Sequence, residues 1–219
     1  MTSFELQSWM SENEIPAAPG LFDRMARLFE LLIRENAKHN LTRITAPEDF
    51  WIKHVADSLY ILKYFPELAI EPLTVVDIGC GAGFPAIPLA ACCPNLQITA
   101  MDSIGKKVSF VQLCADRLDL PNLRAVTARA RELNRKEPWR DRFDVVTARA
   151  VAPARTLYRE TKAMRRSTGR FIFYKTPEQV VEDLPQAASD SGMKWFTTEV
   201  YQVPERAGER QFLSTEAVR

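Results

Sequence analysis

Hydrophobic positions along the chain change rhythm once, near residue 73. From Leu21 to about Lys38, the apolar residues Leu21, Phe22, Met25, Leu28, Phe29, Leu32 and Ile33 recur at three- and four-residue intervals. That is the stripe of an amphipathic helix. A shorter helix is expected over 3–12 with Ser3 as its N-cap, broken by Pro16, Pro19 and Gly20. Another is expected from near Thr45, where Thr45 and Glu48 read as a capping box and Trp51, Val55, Leu59 and Leu62 form the buried stripe. Most of residues 1–70 therefore read as helical, ahead of the first strand.

From Leu73 onward short apolar runs alternate with helical patterns. Strands are expected at about 73–77, 96–101, 123–127, 143–148, 170–175 and 195–202, and helices at about 85–92, 104–118, 153–166 and 178–191. A hairpin at Arg206–Arg210 leads to a short last strand from about Gln211. This alternation predicts an α/β domain over 71–219, a Rossmann-like, mainly parallel sheet covered on both faces. Such sheets bind ligands beyond the carboxyl ends of their strands. Asp77, Asp102, Arg129, Ala130, Arg149 and Lys175 all fall at those ends.

The first strand runs into Asp77-Ile78-Gly79-Cys80-Gly81-Ala82-Gly83-Phe84-Pro85. Three glycines on alternate positions are expected to bring backbone N–H groups close to a ligand, ahead of a helix start that favours polar ligand groups. The spacing departs from the G-x-G-x-x-G of nicotinamide sites, because position 84 is Phe. A carboxylate at the strand end would repel a pyrophosphate but attract the sulfonium and ammonium of S-adenosylmethionine (SAM). SAM is thus the expected cofactor. Asp102 is placed to accept hydrogen bonds from ribose hydroxyls, or to cap the next helix together with Ser103; both roles stay open.

Charge adds a polyanionic partner. The net charge is only +1, but residues 129–175 hold 14 Lys/Arg against 5 Asp/Glu, or +9, while 1–76 and 176–219 each carry −4. A basic middle suits a polyanion, with Arg129, Arg131, Arg135, Lys136, Arg155, Arg159, Lys162, Arg165 and Arg166 as candidates for phosphate contacts. Cys80, Cys92, Cys93 and Cys114 form no C-x-x-C pair and there are two histidines, so free thiols are expected and no metal site. Residues 1–20 lack a signal-peptide pattern and no apolar run approaches about 20 residues, so a cytoplasmic protein without membrane contact is expected. Nothing in the sequence implies an oligomer.

Several motifs together resemble one family. Asn40-Leu41-Thr42, Lys53-His54-Val55-Ala56-Asp57-Ser58-Leu59, the run from Asp77 to Ala90, Asp102-Ser103 with Lys106, Lys107 and Phe110, and Arg149-Ala150-Val151-Ala152 are similar to elements of the GidB (RsmG) small-subunit ribosomal RNA methyltransferases. The resemblance implies a class I SAM-dependent methyltransferase fold with residues 1–70 as an N-terminal helical cap, and methyl transfer to N7 of one guanine in 16S rRNA, within a small-subunit particle. It implies cofactor contacts at Gly79, Phe84, Asp102, Ala130, Arg131 and Arg149. Departures occur at Cys80, at Ala86 and Thr176 where the family has glycine, and at Arg131 where it has Glu.

Guanine N7 carries an in-plane lone pair, so no strong general base is required; positioning and charge stabilisation carry the reaction. Arg149 is the first candidate on the acceptor side, donating to guanine O6, touching the cofactor or pinning a phosphate, against a salt bridge to Asp77 or Asp144. Lys175 holds a phosphate or ends as a solvated strand terminus. His54, Asp57 and Ser58 either orient the cap over the cofactor or simply pack within it. The alternatives to this function are a SAM enzyme with another substrate and an rRNA-binding relative without activity.

Overall fold

The computed structural model describes residues 2–216. Helix α1 (Ser3–Glu12) is capped by Thr2, not Ser3: Thr2 and Glu5 close a reciprocal capping box. Helix α2 (Leu21–His39) buries Leu21, Met25, Leu28 and Leu32, the expected stripe, and ends at Asn40 in the left-handed region. Each such leucine contributes about 1.5–3 kcal/mol by leaving water.

The third helical run, α3 (47–64), differs from expectation. It opens at Pro47 behind Ala46 with no side-chain cap, so Thr45 and Glu48 form no capping box. It then passes through π-helical turns at Phe50–Ala56 before resuming α geometry at Asp57–Leu59 and Ile61–Tyr64. Every residue from Trp51 to Leu62 except Lys53 is buried. An all-round buried helix is one wedged between layers: one continuous core joins Leu6, Leu28 and Val55 to Val75 and Ile98 of the sheet. A short turn, α4 (Glu67–Ile70), leads into the sheet.

Strands β1 (Thr74–Ile78), β2 (Gln97–Asp102), β3 (Leu123–Thr127), β4 (Phe143–Arg149) and β5 (Arg165–Lys175) are parallel; β6 (Trp195–Thr197), β7 (Tyr201–Gln202) and β8 (Glu209–Thr215) complete the edge. The strand order is 3-2-1-4-5-8-6, with β8 antiparallel to β5, β6 and β7. Helices α5 (Ala86–Cys92), α6 (Gly105–Arg117), α7 (Ala130–Leu133), α8 (Ala154–Thr161) and α9 (Pro177–Ser191) form the connections. Val75, Val145 and Ile172 face one core, shared by the N-terminal helices, α5 and α6, while Val76, Val146, Phe171 and Phe173 face a second core with Leu157, Tyr158 and Val180. This is the expected α/β class, and the order reverses between β1 and β4.

Boundaries moved where packing overrode periodicity. Helix α8 stops at Thr161 and β5 begins at Arg165, because a bulge between Phe143 and Val145 lets β5 extend down the edge of β4. Gly169 permits that approach: a Cβ there would sit 2.7 Å from the Asp144 carbonyl oxygen. The expected strand at 195–202 is two short strands, both paired to β8. All four cysteines are free and buried. No helix among the described residues is long and apolar enough to cross a membrane.

Candidate active site

A cavity of about 600 Å³ opens at the carboxyl ends of β1 to β4. Its walls bring together Gly79, Asp102 with Ser103, Ala130 with Arg131, and Val151. The switch point between β1 and β4 places it there, and its size suits a nucleoside-containing ligand.

The glycine loop serves this cavity differently from expectation. Gly79 has φ +68°, and a Cβ on it would lie 2.6 Å from Val151 Cγ2, so the turn has room only for glycine. At Gly83, with φ +90°, a Cβ would collide with Ile87 Cδ1. The loop's amides, however, point inward. The N–H groups of Gly79 and Cys80 donate to the Met101 carbonyl at 2.7 and 3.0 Å, that of Gly83 to the Cys80 carbonyl at 2.8 Å, and that of Gly81 to Asp102 Oδ2 at 3.0 Å. The expected array of ligand-facing amides is replaced by a self-bonded turn, because its buried donors need partners with or without a ligand.

Asp102 does not cap α6; Ile104 occupies the N-cap position. Its Oδ1 accepts the Ile104 N–H at 2.9 Å while Oδ2 holds Gly81, so the carboxylate ties β2 to the loop. Its wall position leaves it facing the cavity with lone pairs to spare. Ser103 lines the cavity beside it. Phe84 is buried away from the cavity, its ring stacked on His54. Gly81 and Gly83 support the turn from behind.

Asp77 is 1% exposed and neither carboxylate oxygen has a hydrogen-bond partner. Burial raises its pKa to about 7, against the pull of Arg149 and the nearby Ala86 N–H. Thr147, its register partner on β4, is buried with an equally unpartnered hydroxyl. An orphaned carboxylate at the head of the loop is expensive to keep; Asp77 sits behind the cavity wall formed by its neighbours Ile78 and Gly79.

Arg149 bonds to neither Asp77 nor Asp144, and Asp144 pairs instead with Arg166. Arg149 reaches across to the cap: Nη1 donates to Asp57 Oδ2 at 2.9 Å and to the Lys53 carbonyl at 3.1 Å, and Nη2 lies 3.4 Å from His54 Nδ1. His54 Nε2 is 3.2 Å from Thr42 Oγ1. Burial and the adjacent guanidinium lower its pKa to about 3. A neutral ring accepting from Arg149 and donating to Thr42 follows. The His54-Asp57 segment is thus a clamp on β4.

Lys175 is no solvated strand end. It is 6% exposed, with Nζ 2.7 Å from Asp183 Oδ2 and 2.8 Å from the Ala152 carbonyl. Asp183 also accepts the Ala154 N–H, so the pair fixes the loop after β4. Within that loop Ala150 has φ +56°, a conformation that stores about 1–2 kcal/mol. Ala150 also lines a second cavity of about 290 Å³, together with Asp57, Arg149, Tyr174, Lys175 and Arg210.

Arg210 was not singled out from the sequence; only the pairing of β8 with β5 carries it to this wall. Of the basic candidates, Arg155 and Arg159 share Asp190, Arg165 bonds its own turn, and Lys162 lies over Tyr158. Arg129 lies 4.0 Å from Glu132, Arg131 is exposed and lines the first cavity, and Arg135 and Lys136 are exposed. Two of the departures are accommodated locally. Ala86 is not among the positive-φ residues, and Thr176 is extended and caps α9 with Gln179.

The family model described as rRNA small subunit methyltransferase G, GidB, matches residues 22–212. A protein of that name from Carboxydothermus hydrogenoformans is 36% identical, covering 95% of this chain and 88% of its own length. One from Brevibacillus brevis, also so named, is 38% identical over 94% of this chain and 89% of its own length. Among solved structures, a SAM dependent methyltransferase from Aquifex aeolicus superimposes with a TM-score of 0.59 at 17% identity, over 79% of this chain and 94% of that one; it supports the fold.

Proposed function

The chain belongs to the GidB family, and from that premise we propose that its two adjoining cavities are the donor and acceptor halves of one active site. The protein is a SAM-dependent methyltransferase that modifies N7 of a guanine in 16S rRNA. The observation that carries the donor half is Asp77, buried at the head of the loop with both oxygens unpartnered.

On this reading Gly79, Asp102, Ser103, Ala130 and Arg131 hold the nucleoside part of SAM in the larger cavity, and Asp77 draws its cationic end inward, with Gly81, Gly83 and Phe84 shaping the loop behind them. When bound, SAM supplies an electrophilic methyl group: a bond forms to N7 as the sulfur–carbon bond breaks. The chain's own residues orient and shield. N7 needs no base, so the reaction rests on orientation. Arg149 and Lys175 act as positioning residues, fixing the cap and the post-β4 loop around the point where the cavities meet.

Residues 1–70 act as the cap over residues 71–219. The exposed Arg131, Arg135 and Lys136 supply phosphate contacts, which give affinity without sequence choice. A net charge of +1 is small for tight binding to naked RNA, which supports a small-subunit particle in the cytoplasm as the working substrate. Tritiated methyl transfer to 30S particles and to naked 16S rRNA, beside SAM calorimetry, tests this. The expected result is SAM binding and label in the particle. SAM binding with label in neither RNA would overturn it.

A further inference from the structure

The second cavity holds a carboxylate that methyl transfer to N7 does not itself call for. Asp57 is 4% exposed. Its Oδ2 is taken by Arg149, but Oδ1 makes no hydrogen bond: Arg210 Nε stands 3.4 Å away as an ion pair without hydrogen-bond geometry. A buried carboxylate oxygen short of a donor costs free energy that a ligand N–H would return. Around it, in the same walls, Arg149, Arg210 and Lys175 are donors. The cavity, at about 290 Å³, is large enough for one purine base.

One anionic acceptor among several cationic donors matches one base in particular. Guanine presents N1–H and N2–H₂ side by side as donors, with O6 as the adjacent acceptor. Adenine would set its N1 lone pair against the carboxylate, and uracil offers a single N–H between two carbonyls. We infer that Asp57 reads the N1–H/N2–H₂ edge of the target guanine, turned out of its strand into this cavity, with the neighbouring cations at O6. The inference rests on the reading under Proposed function and names the residue that selects the base. N7 lies on a different edge of the purine from N1 and N2, so a guanine held by Asp57 keeps its N7 lone pair free for the donor. Methylation at N7 makes the purine cationic, so a carboxylate bonded to its N–H groups gains strength as the reaction proceeds. The effect of Asp57 therefore falls on kcat as well as on KM.

The test compares reconstituted 30S particles carrying guanosine or inosine at the target position; inosine keeps N7, O6 and N1–H and lacks only the N2 amine. Wild-type protein is expected to prefer guanosine by about tenfold or more in kcat/KM, the loss attached to one hydrogen bond to a charged group. Asp57→Asn is expected to lose about 100-fold on guanosine, to show a preference of less than about threefold, and to bind SAM as the wild type does. Two results overturn the inference while leaving the enzyme reading intact: a wild-type preference below about twofold, or full discrimination surviving in Asp57→Asn. The first needs no variant and so does not depend on Asp57→Asn folding. Failure of wild-type protein to methylate the guanosine particle would instead overturn the underlying reading, and this inference with it.

Discussion

His54 lies flat on Phe84, ring centroids 4.0 Å apart and planes 4° from parallel. The stack joins the third helical run to the glycine loop and holds the imidazole where burial, with Arg149 beside it, keeps it neutral. Its pKa of about 3 lies below the ordinary 6.5, while that of Asp77, about 7, lies above the ordinary 3.8. Between about pH 4 and 6.5 the unfolded chain binds one more proton at His54 and one fewer at Asp77, so the two contributions to the pH dependence of stability oppose each other. In Asp77→Asn only the histidine remains, and stability should rise with pH by about 1.4 kcal/mol per unit across that window. In His54→Gln stability should fall as pH rises, at a similar rate. Urea melts at half-unit pH intervals check both.

SAM binding should release a proton from Asp77. A cationic ligand favours the carboxylate, so affinity should fall up to about tenfold for each pH unit below about 7 in the wild type and stay nearly flat in Asp77→Asn. Calorimetry at pH 6 in buffers of different ionisation enthalpy would report the proton directly.

Gly79→Ala combines positive φ with a Cβ 2.6 Å from Val151. A loss of about 1–3 kcal/mol in stability is expected, with SAM affinity reduced as the loop shifts into the cavity. Adding Val151→Ala should recover part of the stability but not the strain in φ; thermal melts of the single and double variants separate the two.

Arg149→Met leaves Asp57 buried with only the loose Arg210 pair. Breaking a buried pair from one side costs about 3–5 kcal/mol. The double variant with Asp57→Leu should be less damaged than the two single losses added together, as a chemical-denaturation cycle would show.

Replacing Arg135 and Lys136 together by Gln should weaken particle binding without altering stability. If each contacts a phosphate, the slope of log affinity against log salt should flatten by about 1.5 to 2. An unchanged slope would place the RNA on another face.

Much of this was legible from periodicity. Leu21, Met25, Leu28 and Leu32 announced α2, and the strand–helix alternation announced the sheet, because burial follows spacing. The gathering of Gly79, Asp102, Ala130 and Arg149 at one sheet end followed from topology alone. What the sequence did not show is pairing between distant polar groups. Arg149 lies 92 residues from Asp57, and no local rule predicts that a π-helical turn will aim His54 and Asp57 at it together. Lys175 with Asp183, and Arg210 at the second cavity, were hidden likewise. The direction of the glycine amides was misread because a turn's own carbonyls, such as those of Met101 and Cys80, compete for them.

That inward-bonded loop has a kinetic side. Its backbone has already given up its conformational freedom during folding, so an arriving ligand meets a finished surface and orders nothing there. Donor exchange should then proceed without a loop-closing phase: stopped-flow mixing should give one exponential whose rate climbs linearly with ligand concentration.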